Sequence, residues 1–351
     1  MEPVALAMIG TGDWGGNLLR NFAALPSVRI AAVCDADRDR LAKAGKVAPQ
    51  AKAVTDAREL LEVPGIEAVA IAAPAPVHGK LARMFLEAGK DVYVEKPFTL
   101  DVLEAEELVA LADAKQRVLM VGHLLEHHPA VARLKAMIEA GELGDVRYVY
   151  SQRVNLGKVR SDENALWSFA PHDLSVMLYL LGGEPEDVSA RGQAFLQPGI
   201  EDVVFTYLRW ADGRMAHAHV SWLDPHKVRR FTVVGSKRMA VFDDMEPAEK
   251  LRIYDKGLDP KQGEFVDFAR SLTVRQGDVW IPRIDGSEPL RIECQHFADC
   301  VRSRKTPLTD GRDGLRVVKV LAAAQASLER QGAPVRLDSL KAAAPTEGRV
   351  S

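Results

Sequence analysis

Residues 4–15 read VALAMIGTGDWG and decide the fold of the first part of the chain. Val4–Ile9 is apolar without interruption, which is typical of a parallel strand buried on both faces. The glycines that follow have dinucleotide-turn spacing: the first permits a tight turn, the second admits a pyrophosphate, and the third packs helix on strand. Residues 17–25 have helical character, so a helix N-terminus would offer its N–H groups to phosphates. The predicted cofactor-binding residues here are Gly10, Thr11, Gly12, Asp13, Trp14 and Gly15.

A carboxylate stands where the adenosine ribose of a dinucleotide needs one. The second apolar strand, residues 27–33, leads to Asp35, twenty residues beyond Gly15. Such a carboxylate binds the ribose hydroxyls and repels a 2′-phosphate, so we predict NAD as the cofactor. Arg38 lies close enough in the sequence to leave NADP open as an alternative.

Strand and helix patterns then alternate as far as Gly122. Buried strand patterns at residues 67–73, 91–94 and 118–121 are separated by helical patterns with short connections. This order predicts a doubly wound parallel sheet, a Rossmann fold, whose ligands bind at the carboxyl ends of the strands. Those ends supply further predicted cofactor-binding residues: Ala73, Pro74, Glu95, Lys96 and His123, the last of them bordering the nicotinamide.

The tripeptide Glu95-Lys96-Pro97 closes the strand at residues 91–94. An ammonium group there would be partly desolvated beside the cofactor, where it would stabilise alkoxide character as a hydride leaves or relay a proton. Pro97 fixes the backbone that follows the lysine. Lys96 is therefore a predicted catalytic residue; the alternative is an ion pair with Glu95 that caps the strand end.

The composition argues against several classes of partner and ligand. The 351 residues are 47% hydrophobic and 27% charged, with a net charge of −3, so neither nucleic acid nor a membrane surface is an expected partner. The N-terminus lacks a signal peptide's basic region, and Cys34, Cys294 and Cys300 have no metal or redox spacing. His217 and His219 share a strand face without a third ligand, so no metal is predicted. A cytoplasmic protein of two domains is expected.

Three ordered motifs carry a family resemblance: GTGDWG at residues 10–15, AAPAPVH at residues 72–78 and EKP at residues 95–97. Together they resemble the glucose–fructose oxidoreductase / inositol dehydrogenase (Gfo/Idh/MocA) family over nearly the whole chain. The resemblance implies an α/β protein: a Rossmann NAD(P)-binding domain, then an α+β domain with a large, mostly antiparallel open sheet. The domains fall at residues 1–122 and 123–340, followed by a frayed tail at residues 341–351.

The same resemblance implies roles for residues and for the second sheet. It places His78 among the cofactor-binding residues and makes Lys96 the catalytic-site lysine. In the family the sheet of the second domain binds substrate on one face and commonly makes oligomer contacts, so a homodimer or homotetramer is expected. Alternating patterns at residues 146–154, 202–210 and 214–222, with short polar turns, also favour an antiparallel sheet.

A histidine of the second domain is predicted to open a helix. Pro171 suits the first helical position, which would put His172 in the first turn, where the helix dipole favours neutral imidazole. A neutral imidazole could accept a proton from a sugar hydroxyl. The family's catalytic-site histidine also opens such a helix, often four residues after an Asp; Ser168 stands there in this chain. Lys96 and His172 are thus the predicted catalytic pair. The alternative is that His172 merely caps a helix.

Residues 155–172 suggest a substrate class. The cations of this stretch could meet a diphosphate or form a solvated loop. The combination NLGKVR…ENALWSFAPHD resembles, within the family, enzymes of nucleotide-linked sugars, particularly UDP-N-acetylhexosamine 3-dehydrogenases. This implies oxidation at C3 of a sugar such as UDP-N-acetylglucosamine; a free-sugar or inositol dehydrogenase and a non-enzymatic cofactor-binding relative are the alternatives. The predicted substrate-binding residues are Lys96, Asn155, Lys158, Arg160, Trp167, Ser168 and His172.

Overall fold

The computed structural model describes residues 2–157, 159–260 and 272–340, and the chain forms two compact units. The first unit joins Met1–Lys135 with Ile284–Val318, and the second joins Ala136–Arg283 with Lys319–Ser351. The linear pattern divides the chain once, at residue 122, whereas the first unit is built from two separate segments. The predicted tail at residues 341–351 lies outside the described residues.

The strands of the first unit are β1 Val4–Ile9, β2 Val28–Cys34, β3 Lys52–Val54, β4 Ala68–Ile71, β5 Asp91–Glu95 and β6 Leu119–Gly122. Among the described residues they form one six-stranded parallel sheet in the order β3-β2-β1-β4-β5-β6. The strand order reverses beside β1, and a dinucleotide fold opens its binding crevice at such a switch point. The predicted doubly wound parallel sheet is therefore confirmed.

The helices of the described residues are, in chain order, α1 Asp13–Ala23, α2 Arg38–Val47, α3 His78–Glu87, α4 Val102–Lys115, α5 Pro129–Glu139, α6 Ala165–Leu181, α7 Pro289–Ser303 and α8 Gly311–Glu329. None of them combines the length and the apolar character that a membrane crossing requires.

Two apolar cores cover the two faces of the parallel sheet. On one face, Leu6 and Met8 of β1 pack with residues of α1, α2 and α7, Phe22 and Phe297 among them. On the other face, Ile9 packs with residues of α3 and α4. Because successive side chains of a strand point to opposite faces, the unbroken apolar run of β1 feeds both cores. Helix α7 belongs to the first unit because its apolar face is part of this packing.

The strands of the second unit are β7 Val146–Val154, β8 Asp187–Gln193, β9 Val203–Arg209, β10 Met215–Ser221, β11 Val228–Gly235, β12 Met239–Asp243, β13 Leu251–Pro260, β14 Leu272–Trp280 and β15 Val335–Arg336. Among the described residues they form a nine-stranded sheet in the order β14-β13-β12-β11-β7-β10-β9-β8-β15, antiparallel at each described pairing except that of β7 with β10. The predicted large, mostly antiparallel sheet is confirmed.

Candidate cofactor and active-site residues

The glycine turn between β1 and α1 leaves no room for side chains at two of its glycines. Gly10 has a φ of +83°, and a Cβ there would lie 2.6 Å from the carbonyl oxygen of Ala72. A Cβ on Gly15 would lie 2.0 Å from the carbonyl oxygen of Gly10. Helix α1 begins at Asp13, earlier than the predicted helix at residues 17–25, so its N-terminus lies within the turn. A tight turn that leads directly into a helix N-terminus is the arrangement that holds a pyrophosphate.

Asp35, the predicted ribose ligand, also ties the turn to the end of β2. Its Oδ2 accepts hydrogen bonds from the backbone N–H of Thr11 at 2.7 Å and from the Thr11 hydroxyl at 3.0 Å. Its Oδ1 accepts from the backbone N–H of Asp37 at 3.0 Å. A carboxylate has about four acceptor sites, so these bonds leave capacity for a ribose hydroxyl.

A second cation, missed by the sequence analysis, lies beside the same turn. The guanidinium Nη1 of Arg40 is 3.5 Å from the position that a Cβ on Gly12 would take. Arg38, the predicted cation, is exposed at the first position of α2. The signal was present in the sequence, since Arg40 follows Arg38 by two residues, but only the helical path of α2 brings its side chain to the turn.

The glycine turn and the strand end that carries Lys96 share one carboxylate. The indole Nε1 of Trp14 donates to Glu95 Oε1 at 2.5 Å, and the backbone N–H of Lys96 donates to Glu95 Oε2 at 3.1 Å. Burial raises the pKa of Glu95, against the lowering effects of the Trp14 hydrogen bond and the Lys96 ammonium. Lys96 itself is half-buried, and its peptide bond to Pro97 is cis. Hydrogen bonds to Glu95 therefore connect the predicted cofactor turn to the predicted catalytic lysine.

His78 joins two of the motifs that the sequence analysis singled out. Its Nδ1 lies 2.8 Å from the carbonyl oxygen of Pro97, and its Nε2 lies 2.8 Å from that of Ala73. Burial lowers the pKa of His78, and the Lys96 ammonium lowers it further, against the raising effect of the two carbonyl hydrogen bonds. Pro74 is exposed just before the short 3₁₀ turn Ala75–Val77. The ring thus holds the AAPAPVH stretch against the residue that follows Lys96.

His123, predicted to border the nicotinamide, is held inside the first unit. Its Nδ1 is 2.7 Å from Asp313 Oδ2 and 3.6 Å from Glu126 Oε1, and all three side chains are buried. Burial opposes a charge on His123, but hydrogen bonds to Asp313 and Glu126 raise its pKa to about 10. Its contact with the nicotinamide stays a prediction. Asp313 was missed by the sequence analysis, because it lies 190 residues beyond His123 in the chain.

The predicted position of His172 in the first turn of a helix is wrong. Helix α6 begins at Ala165, and the side chain of Asn164 caps it by accepting from the backbone N–H of Trp167 at 3.2 Å. His172 is the eighth of its 17 residues, with Pro171 inside the helix. The Asn164 cap starts the helix earlier than Pro171 suggested, since a side-chain acceptor satisfies an otherwise unpaired N–H. The dipole argument for a neutral His172 falls with this, because the dipole acts within the first turn.

The surroundings of His172 are set by a buried ion pair. Asp173 accepts from Nε of Arg153 on β7 at 2.5 Å, which fixes α6 against the sheet of the second unit. Ser168 is buried and lies one helical turn before the half-buried His172, on the same face. The carboxylate of Asp173, the residue after His172, is thus paired with Arg153.

The other predicted substrate-binding residues divide by environment. Asn155 and Trp167 are half-buried, at the end of β7 and in the first turn of α6. Arg160 is exposed, and its Nε lies 2.9 Å from Glu163 Oε1. Its carbonyl oxygen accepts from Gln197 Nε2 at 2.8 Å. Lys158 lies outside the described residues. Lys96 belongs to the first unit and His172 to the second, and their action as a pair stays a prediction.

Comparison with known proteins gives consistent matches along the chain. Residues 4–123 match the Gfo/Idh/MocA oxidoreductase family with its NAD-binding Rossmann fold, and residues 131–241 match the Gfo/Idh/MocA C-terminal domain. The chain is 30% identical to UDP-N-acetylglucosamine 3-dehydrogenase of Acidithiobacillus ferrooxidans, over 92% of this chain and 98% of that protein. It is 28% identical to scyllo-inositol 2-dehydrogenase (NAD(+)) of Bacillus subtilis, over 97% and 98%.

A solved structure agrees with these matches. UDP-N-acetylglucosamine 3-dehydrogenase from Acidithiobacillus ferrooxidans superposes with a TM-score of 0.79 at 26% identity, covering 94% of this chain and 99% of that one.

Proposed function

We propose that this chain, which belongs to the Gfo/Idh/MocA family of NAD-binding oxidoreductases, removes a hydride from C3 of a nucleotide-linked amino sugar such as UDP-N-acetylglucosamine. The observation that supports this site is a pair of hydrogen bonds to the carboxylate of Glu95. The Trp14 indole of the glycine turn donates one, and the backbone N–H of Lys96 donates the other. This carboxylate ties the cofactor turn to the lysine. The choice of sugar rests on the motif at residues 155–172 and on the UDP-N-acetylglucosamine relative.

The residues of the first unit fit a bound NAD. The missing side chains at Gly10 and Gly15 let the backbone turn tightly at the N-terminus of α1, and Asp35 keeps acceptor capacity for a ribose. The carboxylate of Asp35 would repel a 2′-phosphate, although the nearby cation Arg40 could offset part of this repulsion. We therefore propose NAD as the cofactor in use.

In the proposed reaction, the secondary alcohol loses a hydride from carbon and a proton from oxygen. The bound nicotinamide supplies the hydride acceptor. The Lys96 ammonium stabilises the alkoxide character of the substrate oxygen as the C–H bond breaks. His172 accepts the hydroxyl proton as general base. Asn155, Trp167 and Ser168 would orient the sugar, and Lys158 and Arg160 would meet its diphosphate.

An assay with a panel of alcohols tests this proposal. We expect NADH absorbance to rise with UDP-N-acetylglucosamine or a related UDP-sugar, and to stay flat with free hexoses and inositols. A nucleotide diphosphate contributes binding energy that a free sugar lacks, so the preference should appear in kcat/KM. Arg160→Ala should raise KM for the UDP-sugar, while exposed Arg133→Ala on α5 serves as its matched control.

The second candidate is a dehydrogenase of a free sugar or an inositol. It is favoured by the scyllo-inositol 2-dehydrogenase relative, which aligns with 97% of this chain. Activity with inositols and none with UDP-sugars would replace the first proposal by this one. The non-enzymatic reading is disfavoured by the named dehydrogenases among the relatives and by the presence of both Lys96 and His172. The cytoplasmic location stays a prediction.

We also propose that the exposed face of the second sheet joins copies of this chain into a homo-oligomer. Aromatic and aliphatic side chains alternate outward on β7, β9 and β10, with Tyr207 53% and Met215 55% exposed. Contiguous apolar side chains on a sheet face mark an interaction surface. Tyr207→Glu should lower the mass measured by analytical ultracentrifugation, whereas Leu61→Glu, an exposed apolar position of the first unit, should not. A wild-type monomer would contradict the proposal.

A further inference from the structure

A buried tyrosine lies between two buried glutamates beneath the strand end that carries Lys96. The hydroxyl of Tyr93 is 3.1 Å from Glu95 Oε1 and 3.1 Å from Glu293 Oε2. Tyr93 and Glu293 have no exposed surface, and Glu95 has 6%. Glu293 comes from α7, 200 residues further along the chain. These three side chains form a continuous polar line from the interior of the first unit to the site of Lys96.

The number of hydrogens on these groups restricts their charges. A phenol carries one hydrogen, so Tyr93 can donate to only one of its two carboxyl neighbours. An ionised carboxylate is an acceptor only, so the second neighbour must itself carry a hydrogen and donate to the phenol oxygen. Two ionised glutamates here would also bury two like charges close together. One of the two glutamates is therefore a carboxylic acid.

The surrounding donors decide which glutamate holds the hydrogen. Glu95 accepts from the Trp14 indole and from the backbone N–H of Lys96, and the Lys96 ammonium favours its charged form. Within the described residues, Glu293 has only Tyr93 as a hydrogen-bond partner, and its Oε1 has none. Burial, and then the charge of Glu95, raise the pKa of Glu293 far above its usual value. These contacts favour the ionised form at Glu95 and the acid form at Glu293.

We propose that Glu293 is a positioning residue: a neutral carboxylic acid that donates to Tyr93, turns the tyrosine hydrogen onto Glu95 and so keeps Glu95 charged beside Lys96. Its effect on catalysis rests on the role proposed for Lys96. The other charged or titratable groups that act on Glu293 are His123 and Glu126, which follow β6, while Cys294 lies next to it on α7 and faces the same pair of glutamates. A negative Glu95 favours the ammonium form of Lys96, which the proposed reaction requires.

Infrared spectroscopy of the cofactor-free protein tests the charge of Glu293 directly. At pH 7 the difference spectrum of wild type minus Glu293→Gln should show the carbonyl band of a carboxylic acid. Burial raises the pKa of Glu126 to about 8, but its band cancels in the difference. Glu288→Gln, at the exposed N-cap of the same helix, should remove a carboxylate band instead. A carboxylate band lost in Glu293→Gln would overturn the proposal, whether or not the protein oxidises any sugar.

Turnover tests the positioning role separately. An amide N–H can replace the acid as donor to Tyr93, so Glu293→Gln should keep the wild-type pH profile. Glu293→Leu, which has a similar volume and no donor, should lower kcat roughly tenfold, as expected for a lost hydrogen bond in a charged network. It should also move the alkaline loss of activity to lower pH. A Tyr93 hydroxyl that accepts no hydrogen bond donates less strongly to Glu95, and a less stabilised Glu95 charge supports the ammonium less. Equal losses in both variants with unshifted profiles would show a packing role only and overturn the inference.

Discussion

Replacing Lys96 with methionine is expected to lower kcat roughly 10²- to 10³-fold while the protein still binds NAD. Methionine keeps most of the length of the side chain and removes its charge. The loss should therefore fall on the alkoxide that develops as the hydride leaves, and not on the ground-state complex. The pyrophosphate turn at residues 10–15 keeps its own hydrogen bonds through Asp35, so cofactor affinity should stay near its wild-type value.

Two measurements separate these effects. Steady-state NADH formation gives kcat, and isothermal titration of the variant with NAD gives the cofactor affinity. Lys80→Met is the matched control, because Lys80 is an exposed lysine of α3 in the same unit. Full activity in Lys96→Met would contradict the proposed mechanism. Loss of NAD binding together with activity would instead assign Lys96 to the cofactor site alone.

The parts of the fold that the sequence predicted depend on local spacing. The apolar run Val4–Ile9, the glycines after it and the following helix specify β1, the turn and α1 within about 20 residues of chain. Alternation of strand and helix patterns then restricts the sheet to a parallel, doubly wound order. The start of α6 was misplaced because the prediction there also depended on a local signal. Two local signals, Asn164 and Pro171, competed there, and the side-chain cap proved decisive.

Contacts between distant segments were not predictable from such patterns. Asp313 meets His123 across 190 residues, and Glu293 meets Tyr93 across 200. No spacing rule connects these pairs, because α7 returns to the first unit through packing of its apolar face on the sheet. Buried carboxyl groups in a helix, such as Glu293 in an otherwise amphipathic α7, were the available hint. A charged residue on an apolar helical face needs a partner when it is buried.

Replacing Gly15 with alanine is the second change with a large expected effect, which falls on NAD binding and not on the chemical step. In Gly15→Ala the new Cβ would lie 2.0 Å from the oxygen and 2.8 Å from the carbon of the Gly10 carbonyl. Both are backbone atoms, so the clash cannot be relieved by a side-chain rotation and the turn must shift. A hydrogen bond that a shifted backbone N–H loses to a charged phosphate costs about 1.5–3 kcal/mol, which is on the order of 10- to 10²-fold in affinity. We expect NAD affinity to fall by about that factor.

Gly16→Ala is the matched control: it should keep its NAD affinity and gain stability. Outside its chain neighbours and the adjacent backbone of α1, the nearest atom to a Cβ on Gly16 is the carbonyl oxygen of Thr11 at 4.0 Å, which is ordinary van der Waals contact. Gly16 lies inside α1, where alanine restricts the unfolded chain more than glycine, so the variant should gain about 0.4–1 kcal/mol of stability. Thermal unfolding and NAD titration of both variants measure this contrast. If both alanines bind NAD equally well, contact between Gly15 and Gly10 is not what shapes the cofactor turn.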